Sequence, residues 1–194
     1  IRTEREQAVA LYYAVRDGFR YDPYVVKPNP SCFTASGVIE SGRGFCISKA
    51  ALLAAAARAV GIPARVGFAD VKNHLTSPRL REMMGSDEFI YHGYAELWID
   101  GRWVKSTPAF DRKLCEKAGV HPLEFDGRQD SLFHPLDRAG RVHMQYLRDH
   151  GSHTDVPVQE ILEAWRRFYP SLEQWGREGS DARFETEAVG AGSV

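Results

Sequence analysis

The chain has 194 residues, and its 25 Lys and Arg residues nearly balance its 26 Asp and Glu residues, which leaves a formal charge of −1. This balance gives no electrostatic reason to expect nucleic acid or an anionic membrane as a partner. Hydrophobic residues make up 43% of the chain and charged residues 26%, which is the composition of an ordinary globular domain. The longest apolar run, residues 50–57, is far shorter than the roughly 20 residues that span a bilayer.

The cysteine content points to free thiols. Cys32, Cys46 and Cys115 are few and odd in number, which does not suit a disulfide framework. We therefore expect a reducing compartment and a cytoplasmic location.

The first half of the chain is predicted to be helical, with one long interruption. Residues 4–19 place apolar side chains at helical spacing and predict an amphipathic helix that ends near Gly18. Residues 20–40 carry three prolines and a glycine, so they are interpreted as a long loop, which in a compact domain is usually functional. The Ala- and Leu-rich residues 46–60 predict a strong helix that stops at Gly61.

Strands follow this helix. Short strands are predicted over residues 64–69, 91–99 and 102–107, and Asp100-Gly101 between the last two is a strong hairpin signal. Helices before antiparallel strands indicate an α+β fold.

The remainder of the chain is less regular. Helices are predicted over residues 113–118 and 158–168, an irregular segment over 126–137, and a mobile Gly- and Ser-rich tail over 176–194. We therefore expect one domain over residues 1–175.

Cys46 stands at the start of the strongest helix, directly after Gly42-Arg43-Gly44-Phe45. The positive end of a helix dipole favours a thiolate, so this position is expected to lower the pKa of the thiol. Cys46 is therefore a candidate nucleophile. The alternative is a small buried residue on the inner face of the helix.

His92 lies in the strand that opens the hairpin. If the turn has two residues, the sequence numbers of residues that face each other across the hairpin add up to 201, so His92 faces Ala109. Thr107 and Asp111 are then the diagonal neighbours of His92. A Cys nucleophile, a His base and a group that orients the His form a catalytic triad. A structural histidine is the alternative.

The same residues carry a family resemblance. Gly44-Phe45-Cys46, continued to Gly61-Ile62-Pro63-Ala64-Arg65, resembles the core helix of the transglutaminase-like superfamily and the strand after it. His92-Gly93-Tyr94-Ala95-Glu96 is similar to the family's His-x-aromatic-x-Glu strand, and residues 15–22 to its lead-in helix. The resemblance covers residues 8–111 and leaves residues 112–175 as a C-terminal extension. It implies a papain-like α+β fold, with a nucleophile helix packed on an antiparallel sheet, Cys46 as the nucleophile and His92 as the general base.

The third position departs from the family pattern. The family usually has Asp four residues after the hairpin Trp, and here Thr107 stands four residues after Trp103. A Thr hydroxyl accepts a hydrogen bond from imidazole but supplies no full charge to an imidazolium. Asp111 is the nearest carboxylate, and it is the favoured third residue. A weakened dyad or an inactive relative are the alternatives.

The resemblance implies thiol-dependent amide-bond chemistry through a Cys46 thioester, as in a cysteine peptidase or a transglutaminase-like hydrolase. We expect a protein or peptide amide as the substrate, hydrolysis rather than acyl transfer, and no cofactor, nucleic acid or membrane. The alternative function is a catalytically weakened or inactive interaction domain.

A histidine cluster offers a different class of site. His150 and His153, with His143 and His134 upstream, could supply imidazoles to zinc. The adjacent Gly151 indicates a loop, and the helical Glu of a metalloprotease motif is missing. We therefore expect no metal.

Overall fold

The computed structural model describes residues 3–27, 29–133, 135–175 and 184–187 of the chain. Its helices are α1 (Glu4–Gly18), α2 (Ala35–Ser41), α3 (Cys46–Ala59), α4 (Pro78–Met84), α5 (Arg112–Ala118), α6 (Val158–Phe168) and α7 (Phe184–Glu187). Its strands are β1 (Arg20–Tyr21), β2 (Arg43–Gly44), β3 (Ala64–Asn73), β4 (Glu88–Ile99), β5 (Arg102–Ser106) and β6 (Met144–His153). Short 3₁₀ turns cover Pro23–Val25, Pro30–Phe33 and Leu172–Gln174.

The main sheet has four antiparallel strands in the order β5-β4-β3-β6, and β1 and β2 form a separate parallel pair. Helix α3 packs against β3 and β4, and this contact forms the centre of the hydrophobic core. The chain is therefore an α+β protein, as predicted. None of the described helices has the length and apolar character needed to cross a membrane.

The predicted hairpin is confirmed. Asp100 and Gly101 both have positive φ, 49° and 81°, as a two-residue turn of the primed type requires. The pairs run from Ile99 with Arg102 to Ala95 with Ser106, so facing residues sum to 201. Strand β5 ends there, before it reaches Thr107.

The segment predicted as a long loop, residues 20–40, contains two 3₁₀ turns and α2. Thr34 caps α2 by accepting a hydrogen bond from Gly37 N–H at 3.1 Å, and Gly42 ends it at φ 68°. The loop prediction is wrong here because a seven-residue helix is too short to show a clear hydrophobic period. The stop of α3 at Gly61, with φ 86°, is confirmed.

Elements of the second half were predicted unevenly. Helices α5 and α6 match the predicted residues closely, but α4 and β6 were not predicted. Strand β6 has no alternating apolar pattern because it is the largely exposed edge of the sheet. Of the predicted tail, residues 176–183 and 188–194 lie outside the described residues.

A buried lysine joins three segments around α3. Lys49 has no exposed surface, and its ammonium donates hydrogen bonds to the backbone carbonyls of Arg16, Phe19 and Ala109 at 2.8, 2.7 and 2.8 Å. All three donors of the ammonium are therefore used. Lys49 ties the end of α1 and the segment after β5 to the helix that begins with Cys46.

We expect Lys49→Met to lower the free energy of unfolding by roughly 3 kcal/mol, because it leaves three buried carbonyls without their donors. Urea unfolding measures the change. The matched control is Lys113→Met on the exposed side of α5, which should stay within about 0.5 kcal/mol of the parent. A loss below about 1 kcal/mol in Lys49→Met would contradict this role.

Candidate active site

Cys46 is the first residue of α3, and its side chain is 7% exposed. The start of the helix is held by Ser48, whose Oγ accepts a hydrogen bond from Phe45 N–H at 3.1 Å. The thiol therefore lies in the core, at a helix N-terminus that this hydrogen bond holds in place.

The start of α3 lies directly against β4. A Cβ atom built on Gly93 would lie 2.7 Å from the Cα of Ile47 and 3.1 Å from its nitrogen, so no larger residue fits without a backbone shift. Gly93 follows His92, and Ile47 follows Cys46. The close approach therefore brings the strand that carries the histidine to the helix that carries the thiol.

His92 is 2% exposed and lines two chambers. The first, here called the thiol chamber, is also lined by Cys46, and its space together with the open solvent at its mouth is about 440 Å³. The second, called the threonine chamber, is also lined by Thr107, and its space together with the solvent at its mouth is about 360 Å³. The imidazole contacts Phe133 edge-on, with ring centroids 4.6 Å apart. His92 therefore connects the surroundings of the thiol with those of Thr107.

Burial controls the charge of both groups. It raises the pKa of the Cys46 thiol to about 11, although the backbone N–H groups of Gly93, Ile47 and Cys46 itself favour the thiolate. It also lowers the pKa of His92 to about 3. The expectation that the helix N-terminus lowers the thiol pKa is wrong, because desolvation outweighs the helix end. At neutral pH the thiol of Cys46 and the imidazole of His92, which line the same chamber, are therefore both neutral.

Thr107 lies in the same chamber as His92 and is 2% exposed. Among the described residues, neither its Oγ1 nor the Nδ1 of His92 has a hydrogen-bond partner. The residue at the family's usual Asp position therefore does reach the surroundings of the histidine.

Asp111 has a different environment. It is the N-cap of α5, where Oδ1 accepts from Leu114 N–H at 3.0 Å, and Oδ2 accepts from Tyr21 N–H at 3.0 Å. Asp111 is not one of the described residues that line either chamber. Because β5 ends at Ser106, the strand pairing that would have placed Asp111 diagonally to His92 does not continue. Its role in a triad stays a prediction.

A distortion of β4 directly precedes His92. Tyr91 has φ 59°, in the left-handed region that aromatic residues rarely adopt, and β3 has a register shift opposite it between Ala69 and Val71. Asp70 in that bulge accepts a hydrogen bond from Tyr91 N–H at 2.9 Å. Strained backbone of this kind is typical of functional sites.

His150 completes the support of this distortion. Its Nε2 lies 2.7 Å from Asp70 Oδ1, and its ring stacks on Tyr91 at 3.9 Å. Asp70 and His150 are 80 residues apart and no local sequence pattern joins them, so only the fold reveals this group.

The other candidate residues have separate surroundings. All three cysteines are free thiols. Cys32 Sγ contacts the carbonyls of Lys27 and Asn29 at 3.1 Å each, and burial raises the pKa of Cys115 to about 12. His134 lies outside the described residues. Within those residues, no three His, Cys, Asp or Glu side chains are grouped so that they could hold a metal ion.

Residues 1–108 match the model of the transglutaminase-like superfamily, which is more than half of the chain. The chain therefore belongs to this superfamily. The matched part contains Cys46, His92 and Thr107 and ends before Asp111. Comparisons with curated proteins and with solved structures gave no match.

We expect Gly93→Ala to separate β4 from the start of α3, because the new methyl group overlaps the backbone of Ile47. The free energy of unfolding should fall by about 2 kcal/mol, as in other overpacked cores. Thermal unfolding measures this. Gly18→Ala is the control, since a Cβ there meets nothing within 4 Å, and it should leave the melting temperature unchanged or raise it. Equal melting temperatures for Gly93→Ala and the parent would show that the contact is not tight.

Proposed function

We propose that the chain cleaves an amide bond through a thioester on Cys46, with His92 as the general base. The observation that supports this most directly is that both side chains line one chamber, where Gly93 allows β4 to lie against the start of α3. Membership of the transglutaminase-like superfamily and the packing of α3 on an antiparallel sheet agree with a papain-like arrangement of nucleophile and base.

In the proposed reaction, His92 takes the proton of the Cys46 thiol as Sγ attacks the carbonyl carbon of the amide. The new C–S bond gives a tetrahedral intermediate. When the C–N bond breaks, the amine leaves with the proton held by His92, and an acyl thioester remains on Cys46. Water then attacks the thioester, which releases the carboxylic acid and returns the proton to the thiol.

The start of α3 can assist the tetrahedral intermediate. The first N–H groups of a helix have no partner within the helix, and their partial positive charge favours an oxyanion. We assign the backbone N–H of Cys46 as one such donor. The substrate class that we propose is a protein or peptide amide, and hydrolysis is favoured over transfer to an amine.

The neutral resting pair determines how the nucleophile is activated. A thiol with a pKa of about 11 is a thiolate in only about one molecule in ten thousand at pH 7. The pKa of about 3 for the buried imidazole likewise allows no preformed ion pair, so in the proposed reaction His92 takes the proton only as Sγ attacks.

The test is alkylation of the native protein with iodoacetamide, followed by mass mapping of the three cysteines. We expect Cys46 to react fastest below pH 8. His92→Gln should slow Cys46 at least tenfold at pH 7, whereas the two rates should converge near pH 11, where hydroxide alone ionises the thiol. His74→Gln, at an exposed histidine, is the control and should match the parent. Preferential labelling of Cys32 or Cys115 would favour the inactive interaction domain instead.

The third position has its own test. Thr107→Asp places the family's usual carboxylate in the chamber with His92, where its charge stabilises the imidazolium. We expect Cys46 alkylation at pH 7 to rise about tenfold, equivalent to about 1.4 kcal/mol.

Asp111→Asn tests the remaining alternative, in which Asp111 is the third residue of the site. Asn carries no charge and can still cap α5 through Oδ1, although its amide nitrogen cannot accept from Tyr21 N–H. If Asp111 serves only the backbone, the alkylation rate of the folded variant should stay within about threefold of the parent. A tenfold fall in folded Asp111→Asn would support Asp111, the residue that the sequence favours, as the third residue and leave Thr107 without that role.

A further inference from the structure

The thiol chamber is lined on one side by residues from beyond the part of the chain that matches the superfamily. Trp165 lies on α6, and Tyr169 and Trp175 follow it. We call these three residues the aromatic wall. All three lie after residue 108, where the family match ends. The C-terminal extension therefore contributes directly to the space beside Cys46.

Hydrogen bonds to the backbone fix the orientation of the aromatic wall. Trp165 Nε1 donates to the carbonyl of Ile90 at 2.8 Å, and Trp175 Nε1 donates to the carbonyl of Met83 at 3.0 Å. Tyr169 OH donates to the carbonyl of Glu88 at 3.0 Å and accepts from Ile90 N–H at 2.8 Å. Since their polar atoms are bound to backbone, these rings offer apolar surface to the chamber.

The lining residues next to the aromatic wall are also apolar. Met83 and Met84 come from α4, and Phe89 and Ile90 from the start of β4. Among the described residues that line the chamber, none is Asp, Glu, Lys, Arg, Asn or Gln. A charged or amide group that enters this space would lose its hydration without gaining a charged partner, whereas an apolar group gains by leaving water.

We infer that the thiol chamber receives a bulky apolar side chain, aromatic or aliphatic, from the acyl part of the substrate, and that the aromatic wall sets this preference. The inference rests on the proposed function, because the acyl group must lie beside Cys46 when the thioester forms. The apolar residues, the thiol of Cys46 and the imidazole of His92 all line the same chamber, so an apolar group bound there lies next to the reacting atoms.

The test compares two alkylating reagents with the same reactive group, iodoacetamide and N-benzyl iodoacetamide. The rate of each at Cys46 is divided by its rate with glutathione, which removes the difference in intrinsic reactivity. We expect the corrected rate of the benzyl reagent to exceed that of iodoacetamide at least tenfold. The same comparison at Cys32 should give a ratio near one, because Cys32 lies outside this chamber.

Two variants test the lining. Met83→Glu introduces a carboxylate at a half-buried position of the chamber, and the preference for the benzyl reagent should fall below threefold. Trp175→Ala removes one ring of the aromatic wall and should reduce the preference at least threefold. Leu136→Glu is the control, since Leu136 is 46% exposed and lies outside the chamber, and it should keep the parent's preference. Thermal unfolding shows which variants are folded. If Trp175→Ala is not folded, Met83→Glu alone decides the question.

The outcomes separate this inference from the proposed function. If Cys46 is the fastest thiol with iodoacetamide but shows no preference for the benzyl reagent, the chamber does not receive an apolar group and only this inference is refuted. An unchanged preference in folded Met83→Glu refutes it equally. If Cys46 is slower than Cys32 with both reagents, the proposed function itself is wrong.

Discussion

The close approach of β4 to the start of α3 is the constraint on which the candidate site depends. It requires the missing side chain at Gly93, because any Cβ there would overlap the backbone of Ile47. The contact has two consequences. It places the His92 strand beside Cys46, and it removes both groups from water. The geometry that brings Cys46 and His92 to one chamber is therefore also a cause of their unusual pKa values.

Burial and the helix N-terminus act on Cys46 in opposite directions, and burial prevails. The helix end and Gly93 N–H favour a thiolate, but the thiol has little contact with water, and the imidazole that lines the same chamber is neutral. With the thiol pKa raised to about 11 and the imidazole pKa lowered to about 3, neither group is charged at neutral pH. The C-terminal extension adds to this desolvation, since the aromatic wall, Trp165, Tyr169 and Trp175, lines the chamber with apolar surface.

The sequence by itself determined the features that depend on neighbouring residues. Helices α1, α3, α5 and α6 were predicted from apolar spacing and stop signals, and the hairpin register was predicted from Asp100-Gly101 alone. The α+β class followed from the order of the predicted elements, and the superfamily from the motifs around Cys46 and His92. These predictions succeeded because hydrophobic periodicity, helix ends and tight turns are decided within a few residues of the chain.

The tertiary structure alone decided the features that depend on distant segments. Edge strand β6 has no alternating pattern, so only its pairing with β3 reveals it. Asp111 follows a strand that ends early, and its carboxylate serves the backbone of α5 and β1, whereas Thr107 reaches the chamber of His92. The charge of Cys46 could not be read from its position on a helix, because desolvation is set by everything packed around it. Burial is a property of the whole fold, and no local pattern encodes it.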